Sequence, residues 1–473
     1  MNENILKKDF QLPKCDKKAL GRFVLSFLLP NIVFLIACFF LSAVRPIISI
    51  DYLIPCLLLS FNNRFTRIIG ALSYIMVMLI DAYMIIVQFF QFIDIAILRD
   101  LIPFMFSGPK IYIFLYVFLF ATVIILTTFS WWLNKNQQKI YVIIFSSIVF
   151  LIFYIFGFMG DLKYSKKSVP VFFGEYHYIY SQFQYIRELN SIPFGKGMFR
   201  GTKLAPYPKE RGRAMRNVQQ PYNDKILLII AESLGSLKNE QAQKEIFKQL
   251  VNKKEYFDFL VIDEIDTGSV PTLHAELREL CDLSMYFGND TRKYDESLFV
   301  NCLPQILKKQ GYHTVAFHGA ASHMYHRNTL YPKLGFQKMF FFEQMQDKKI
   351  CHSFKGTCDS EIFSLIKQEI LNHNKIFAYW LTLTSHFPYD ERDIFNHRFD
   401  CAKFNIPTDN AICRNIKMET QFIDLLAELV EQPEMRGVEV LIVGDHIPPA
   451  FEDNIYQTIK LQQSAFAHFK IKE

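Results

Sequence analysis

The sequence has no strong excess of charge of either sign. Its 52 lysines and arginines against 46 acids leave a formal charge of +6 over 473 residues. The charge is mild and spread out, so nothing marks a nucleic-acid-binding surface. No two cysteines stand at CxxC spacing, which excludes a zinc knuckle. The first apolar run is too long for the core of a signal peptide and has no clear cleavage site, so no processing is expected. Long apolar runs are also missing from the last two thirds, which have the composition of an ordinary globular domain.

The first third is different. The chain as a whole is 51% hydrophobic and 16% aromatic, with 48 phenylalanines. Apolar runs lie at about 23–44, 46–61, 68–98, 111–133 and 140–158, after a lysine-rich head. Each is near the length that spans a bilayer, and the second, with Asp51 and Pro55, is the weakest. The expectation is a membrane anchor of about five spans over 1–160, with the head in the cytosol and the remainder outside. Arg64, Arg67, Lys135 and Lys139 then fall in cytosolic loops, as the positive-inside rule prefers. Asp81 sits within the third run, and a polar bundle interior is expected around it. The aromatic stretch 164–188 reads as an interfacial segment within a linker over 161–220.

Residues 221–473 form the expected extracytoplasmic domain. Six of the nine cysteines lie there: Cys281, Cys302, Cys351, Cys358, Cys401 and Cys413. An even number fits disulfides in an oxidising compartment. The simplest pairing joins the close neighbours 351–358 and 401–413, leaving 281–302, although six cysteines allow many pairings. Apolar runs at Lys225–Ile230, Phe257–Ile262, His313–Phe317, Phe377–Leu383 and Val438–Val443 alternate with helix-like segments. The pattern predicts an α/β fold with a central, mostly parallel sheet. Ligands sit at the carboxyl ends of such strands.

Those ends carry chemistry. The runs finish in Glu232-Ser233, in a threonine loop (DTGSVPTLHAEL), in His318-Gly319, in Thr384-Ser385-His386 and in Asp445-His446. Each residue singly could be a helix cap or a satisfied polar group. Thr272 most simply caps the helix that follows it. Five such ends together point to a site. Glu232, Asp445 and His446 suit Zn²⁺ or Mn²⁺. A hydroxyl from Thr267, Ser269 or Thr272 could complete the set and act as nucleophile. His318, Arg327 and His386 could contact phosphate oxygens or protonate a leaving group.

From about Lys225 onward the chain resembles the alkaline phosphatase/sulfatase superfamily. Within it, the chain is similar to the membrane-anchored phosphoethanolamine and phosphoglycerol transferases, lipoteichoic acid synthase among them. The resemblance rests on ILLIIAESLGS, TGSVPTLHAEL, AFHGAASHMYHRNTLYPKLGF, LTLTSHFPY and LIVGDHIPP. It implies metal ligands at Glu232, Thr272, Asp445 and His446, a nucleophile at Thr272, and substrate contacts at His318, Arg327 and His386. Ser269-Val270-Pro271 aligned to the lipid A branch would favour Thr267, but the gapless match, which includes Gly268, Ala275 and Glu276, favours Thr272. The implied reaction uses one divalent metal and a phospho-threonine. It moves a head group from a membrane phospholipid to an envelope glycan such as lipopolysaccharide or capsule. A monomer in the cytoplasmic membrane is expected. The alternatives are an extracytoplasmic phosphodiesterase and a non-catalytic lipid- or glycan-binding regulator. A true sulfatase would need Cys or Ser in a C/S-x-P-x-R context, and Cys302-Leu303-Pro304-Gln305-Ile306 lacks the arginine.

Overall fold

The computed structural model describes residues 13–41, 45–89, 110–155, 179–181, 183, 203–267, 271–286, 291–449 and 455–473. The chain divides into a helical unit, Met1–Gln91 with Phe114–Phe199, and a second unit that takes in Phe92–Ile113 and the α/β part, Arg200–Glu473.

Among the described residues, the helical unit holds five α-helices: α1 (Lys17–Leu41), α2 (Leu53–Leu59), α3 (Arg64–Phe89), α4 (Lys110–Leu133) and α5 (Lys139–Phe153). Three stretches, within α1, α3 and α4, are long and apolar enough to cross a membrane. The apolar helices at Ile50–Leu59 and Lys139–Phe153 are shorter. Among the described residues, three helices therefore have the length and composition of a span, where run length alone leads to an expectation of five. The second run bends at Ser60 to Asn63 and the fifth is helical from Lys139. Most of the aromatic stretch 164–188 lies outside the described residues.

Asp81 does face a polar interior, and its partner is an arginine. Arg45 Nε donates to one carboxylate oxygen at 2.8 Å and Nη2 to the other at 2.7 Å, with Tyr52 Oη adding a third donor at 2.9 Å. Both charged side chains are fully buried. The remaining guanidinium hydrogens reach Asn31 and the carbonyl of Pro46. Such a pair costs desolvation to form, but removing one partner strands a buried charge. Asp81→Ala is expected to destabilise the helical unit by about 3–5 kcal/mol. Replacing Arg45 and Asp81 together with apolar residues should recover most of that loss. Chemical denaturation of the full-length protein in detergent reads both, and equal losses in the single and double variants would contradict the assignment.

The α/β unit is built on a mixed sheet. Its strands are β1 (Lys225–Ala231), β2 (Gly235–Leu237), β3 (Phe257–Asp266), β4 (His313–His318), β5 (Lys338–Phe340), β6 (Ile376–Leu381), β7 (Glu439–Gly444) and β8 (Ile459–Ile471). From one side the order is β5-β4-β6-β1-β7-β8, with β2 and β3 both paired to the outer edge of β8. The five strands from β5 to β7 run parallel, and β8 is antiparallel to β7 and to β3. β1, β6 and β7 are buried almost throughout, which explains their unbroken apolar sequences. Leu227 and Ile229 pack into one core layer, and Ile226, Leu228 and Ile230 into the other, as alternation along a strand requires. Helices α6 (Thr272–Cys281) and α7 (Arg327–Leu334) contribute to the second layer. Helices α8 (Asp359–Asn372) and α9 (Ala411–Leu429) cover the first.

One strand departs from expectation. The run Phe257–Ile262 reads as a buried strand, yet β3 is ten residues long, lies at the sheet edge and is mostly exposed or half-buried. Asp258 and Asp263 interrupt its apolar residues, a composition that suits an edge. Three disulfides close the unit, Cys281–Cys302, Cys351–Cys358 and Cys401–Cys413. His468, near the chain end, pairs with Glu439 at 2.7 Å at the opposite end of β7 from Asp445.

Candidate active site

β1 and β7 are adjacent and in register, with Ala231 opposite Gly444. The residues that follow them, Glu232 and Asp445-His446, are therefore brought together by the sheet itself. Gly444 makes this possible, because a Cβ there would sit 1.9 Å from the Leu234 carbonyl oxygen. Glu232, Asp445 and His446 each offer a ligand atom within 4.8 Å of the others.

The backbone fixes their orientation. Asp445 Oδ1 accepts from the amides of Ser233 and His446, both at 2.7 Å. Among the described residues, its Oδ2 is buried with no hydrogen-bond partner. Glu232 is held through its amide by Thr382 Oγ1 at 2.8 Å and through its carbonyl by Ser385 Oγ at 2.7 Å. His446 Nδ1 lies 2.8 Å from the Ile447 carbonyl. A carbonyl only accepts, so the hydrogen is on Nδ1 and the Nε2 lone pair faces the carboxylates. Nε2 is 3.1 Å from Asp445 Oδ2 and 3.5 Å from Glu232 Oε1. These three lone-pair atoms, one of them orphaned, need a shared positive charge. Burial, with Glu232 beside it, pushes the Asp445 carboxyl up to about 7. Burial alone would lower His446, but Asp445 and Glu232 outweigh it and raise it above its ordinary value. The donor set and the orphaned oxygen fit a divalent metal.

Thr272 completes the arrangement. It is the first residue of α6, whose N-cap is Pro271, with no side-chain capping bond. The expectation of a capping threonine is thus not met. Proline takes the cap position, and the hydroxyl turns to Glu232 Oε2 at 3.2 Å and His446 Nε2 at 3.5 Å. Thr267 is fully buried, and its hydroxyl meets Ser464 Oγ at 2.8 Å. Ser269 lies outside the described residues.

His318 and His386 share the tautomer of His446. Their Nδ1 atoms face the Leu381 carbonyl at 3.0 Å and the Phe387 carbonyl at 2.7 Å. Burial, then the charge of Arg327, holds His318 well below the ordinary histidine value. Burial also lowers His386, with His446 and Arg327 adding to the effect. Both rings are therefore neutral near pH 7, and each offers a lone pair at Nε2. This narrows the sequence expectation that they donate to phosphate. Arg327 is buried, and two of its nitrogens bind Glu276 Oε2, Nε at 3.0 Å and Nη2 at 2.7 Å.

Several site residues escape a reading of the strand ends. Glu276 lies four residues after Thr272 and is completely buried, Arg278 anchors the same helix, and Thr382 holds Glu232 together with Ser385, which the strand-end reading does include. Glu276 and Arg278 look like exposed helix charges in sequence. Only the burial of the whole helix from Leu273 to Cys281 reveals them.

Among solved structures, the lipoteichoic acid synthase LtaP from Listeria monocytogenes is 16% identical, covering 61% of this chain and 71% of that one, with a TM-score of 0.40. The Streptococcus pyogenes phosphoglycerol transferase GacH, in complex with sn-glycerol-1-phosphate, is 13% identical over 61% and 72%, with a TM-score of 0.38. The C-terminal periplasmic domain of EcEptC from Escherichia coli, in complex with Zn, is 13% identical over 57% and 77%, with a TM-score of 0.37. No curated protein matches the chain. The sulfatase family profile matches residues 226–468, from the first core strand to the last and across every strand end described above, and the chain belongs to that family.

Proposed function

We propose that the protein transfers a phospholipid head group, phosphoethanolamine or phosphoglycerol, to an envelope glycan through a phospho-threonine at Thr272. The observation that carries this reading is the Thr272 hydroxyl. It is free of any capping role and lies against Glu232 and His446 at a helix N-terminus. Glu232, Asp445, His446 and the Thr272 oxygen would hold one zinc or manganese ion. Such an ion lowers the proton affinity of a bound hydroxyl and offsets phosphate charge.

In the first step Thr272 Oγ1 forms a bond to the donor phosphorus. The bond to diacylglycerol breaks, and the threonine proton ends on the diacylglycerol oxygen. The first-turn amides of α6 favour the phosphate charge. In the second step an acceptor hydroxyl oxygen bonds to phosphorus and the Thr272–phosphorus bond breaks. The acceptor proton passes to a neutral histidine Nε2, that of His386 in this reading, and returns to Thr272. Arg327 contacts the phosphate oxygens. Three disulfides in the α/β unit and apolar helices before it support a multi-pass protein with its catalytic unit outside the cytoplasmic membrane.

The test incubates full-length protein with vesicles holding labelled phosphatidylethanolamine or phosphatidylglycerol and maps the adduct by mass spectrometry. One head group is expected on the Thr272 peptide. Failure of both lipids to label the protein overturns the transferase reading. A pH dependence follows as well. A base with a lowered pKa is active above it and loses activity as pH falls through it. With metal kept saturating at every pH, release of the head group to acceptor should therefore hold at pH 6.5 and decline only below that. In His386→Gln this acid limb should vanish along with most of the rate. A limb unchanged in that variant would assign the base elsewhere.

A further inference from the structure

Glu276 has no part in the steps above, yet it is the most heavily bonded carboxylate near them. Its Oε2 accepts both Nε and Nη2 of Arg327. Its Oε1 accepts the hydroxyls of Tyr331 and Tyr379, the latter at 3.0 Å. The carboxylate is 0% exposed and the guanidinium 2%. Burying such a pair costs several kcal/mol of desolvation, and apolar residues of the same volume would hold the fold as well or better. The network is thus poorly explained as stabilisation alone.

Its placement gives it another use. Thr272 and Glu276 are one turn apart on the same face of α6. One turn from the nucleophile, then, α6 grips Arg327 at the start of α7 and Tyr379 on β6. Two residues further, Arg278 donates to the carbonyls of Gly444 at 3.4 Å and Asp445 at 3.5 Å. The helix is therefore fastened on one side to the strand end bearing Asp445 and His446, and on the other to Arg327. With Nε and Nη2 occupied, the guanidinium cannot rotate, and Nη1 lies outside the Glu276 contacts. The Arg327 charge acts on His318 and His386, which places it beside the site.

We propose that Glu276 is a positioning residue that locks the guanidinium of Arg327 to the Thr272 helix, so that the nucleophile and the phosphate contact move as one body. The proposal rests on the reading of Arg327 as a phosphate contact.

The test is a double-mutant cycle on inorganic phosphate binding to the metal-loaded full-length protein, read by calorimetry. Glu276→Gln keeps the shape and removes the charge. Phosphate affinity should fall about tenfold or more, the size of a charged hydrogen bond. Glu276→Asp should lose less. In an Arg327→Gln background neither change should lower affinity further. A loss that multiplies with Arg327→Gln shows a role independent of the arginine and overturns the proposal, as does unchanged affinity in Glu276→Gln. Absence of phosphate binding in the wild type overturns it too. Should Glu276→Gln fail to show a cooperative thermal melt, Glu276→Asp carries the same cycle. Failure of the transferase reading is distinct: lipid adducts are then missing while the phosphate cycle holds.

Discussion

Thr272→Ala is expected to abolish the covalent adduct and to lower turnover by about 10³-fold or more, the scale set by loss of a nucleophile. Thr267→Ala, by contrast, should stay within a few-fold of wild type. The difference follows from where the two hydroxyls point. Thr272 Oγ1 faces Glu232 and His446, while Thr267 Oγ1 meets Ser464 across the β3–β8 pairing. Removing the second hydroxyl costs one buried hydrogen bond, about 1 kcal/mol of stability. Thr272→Ser keeps the oxygen and loses only a methyl group, so it should retain a measurable adduct. Intact-protein mass spectrometry after a single turnover separates the three variants. An adduct that survives Thr272→Ala and disappears with Thr267→Ala would move the nucleophile five residues upstream.

The contrast between these threonines shows what sequence alone can reach. The α/β class was legible because β1, β6 and β7 are buried on both faces and read as unbroken apolar runs. Glu232, Asp445 and His446 were legible because parallel strands place their following residues side by side. The edge position of β3 was missed because its short apolar core, Phe259 to Ile262, looks the same at an edge or a centre; the signal lay in Asp258 and Asp263 on either side of it. Nor was the cap of α6. Threonine before a helical pattern reads as a cap, and only the backbone shows that Pro271 holds that place. The ion-pair partners of Glu276 and Asp81 were hidden for one shared reason. Each acid is a charge whose partner, Arg327 or Arg45, lies far along the chain, and long-range ion pairs leave no local spacing to read.

Asp445→Asn should lower metal affinity by more than about 100-fold, beyond the 10–100-fold loss typical of changes that only support a ligand. The orphaned Oδ2 is the reason: among the described residues it is the buried oxygen at the cluster with no hydrogen-bond donor, and an amide in its place brings no charge. The same carboxyl makes metal binding depend on pH. Burial and Glu232 raise it to about 7, so the metal-free protein holds a proton there that the metal must displace. Apparent affinity for zinc should rise about tenfold per pH unit below 7 and level off above. Without metal the shift acts against the fold. Between the ordinary value of 3.8 and about 7 the folded state holds a proton that the unfolded chain has released. The metal-free protein therefore loses stability as pH rises through that window, and added zinc restores it most at the upper end. Competition titration with a chromophoric chelator, paired with thermal melts at pH 5, 6, 7 and 8, measures both effects. A zinc affinity independent of pH over this range would mean that Asp445 does not hold the ion. Wild-type occupancy in Asp445→Asn after dialysis would mean the same.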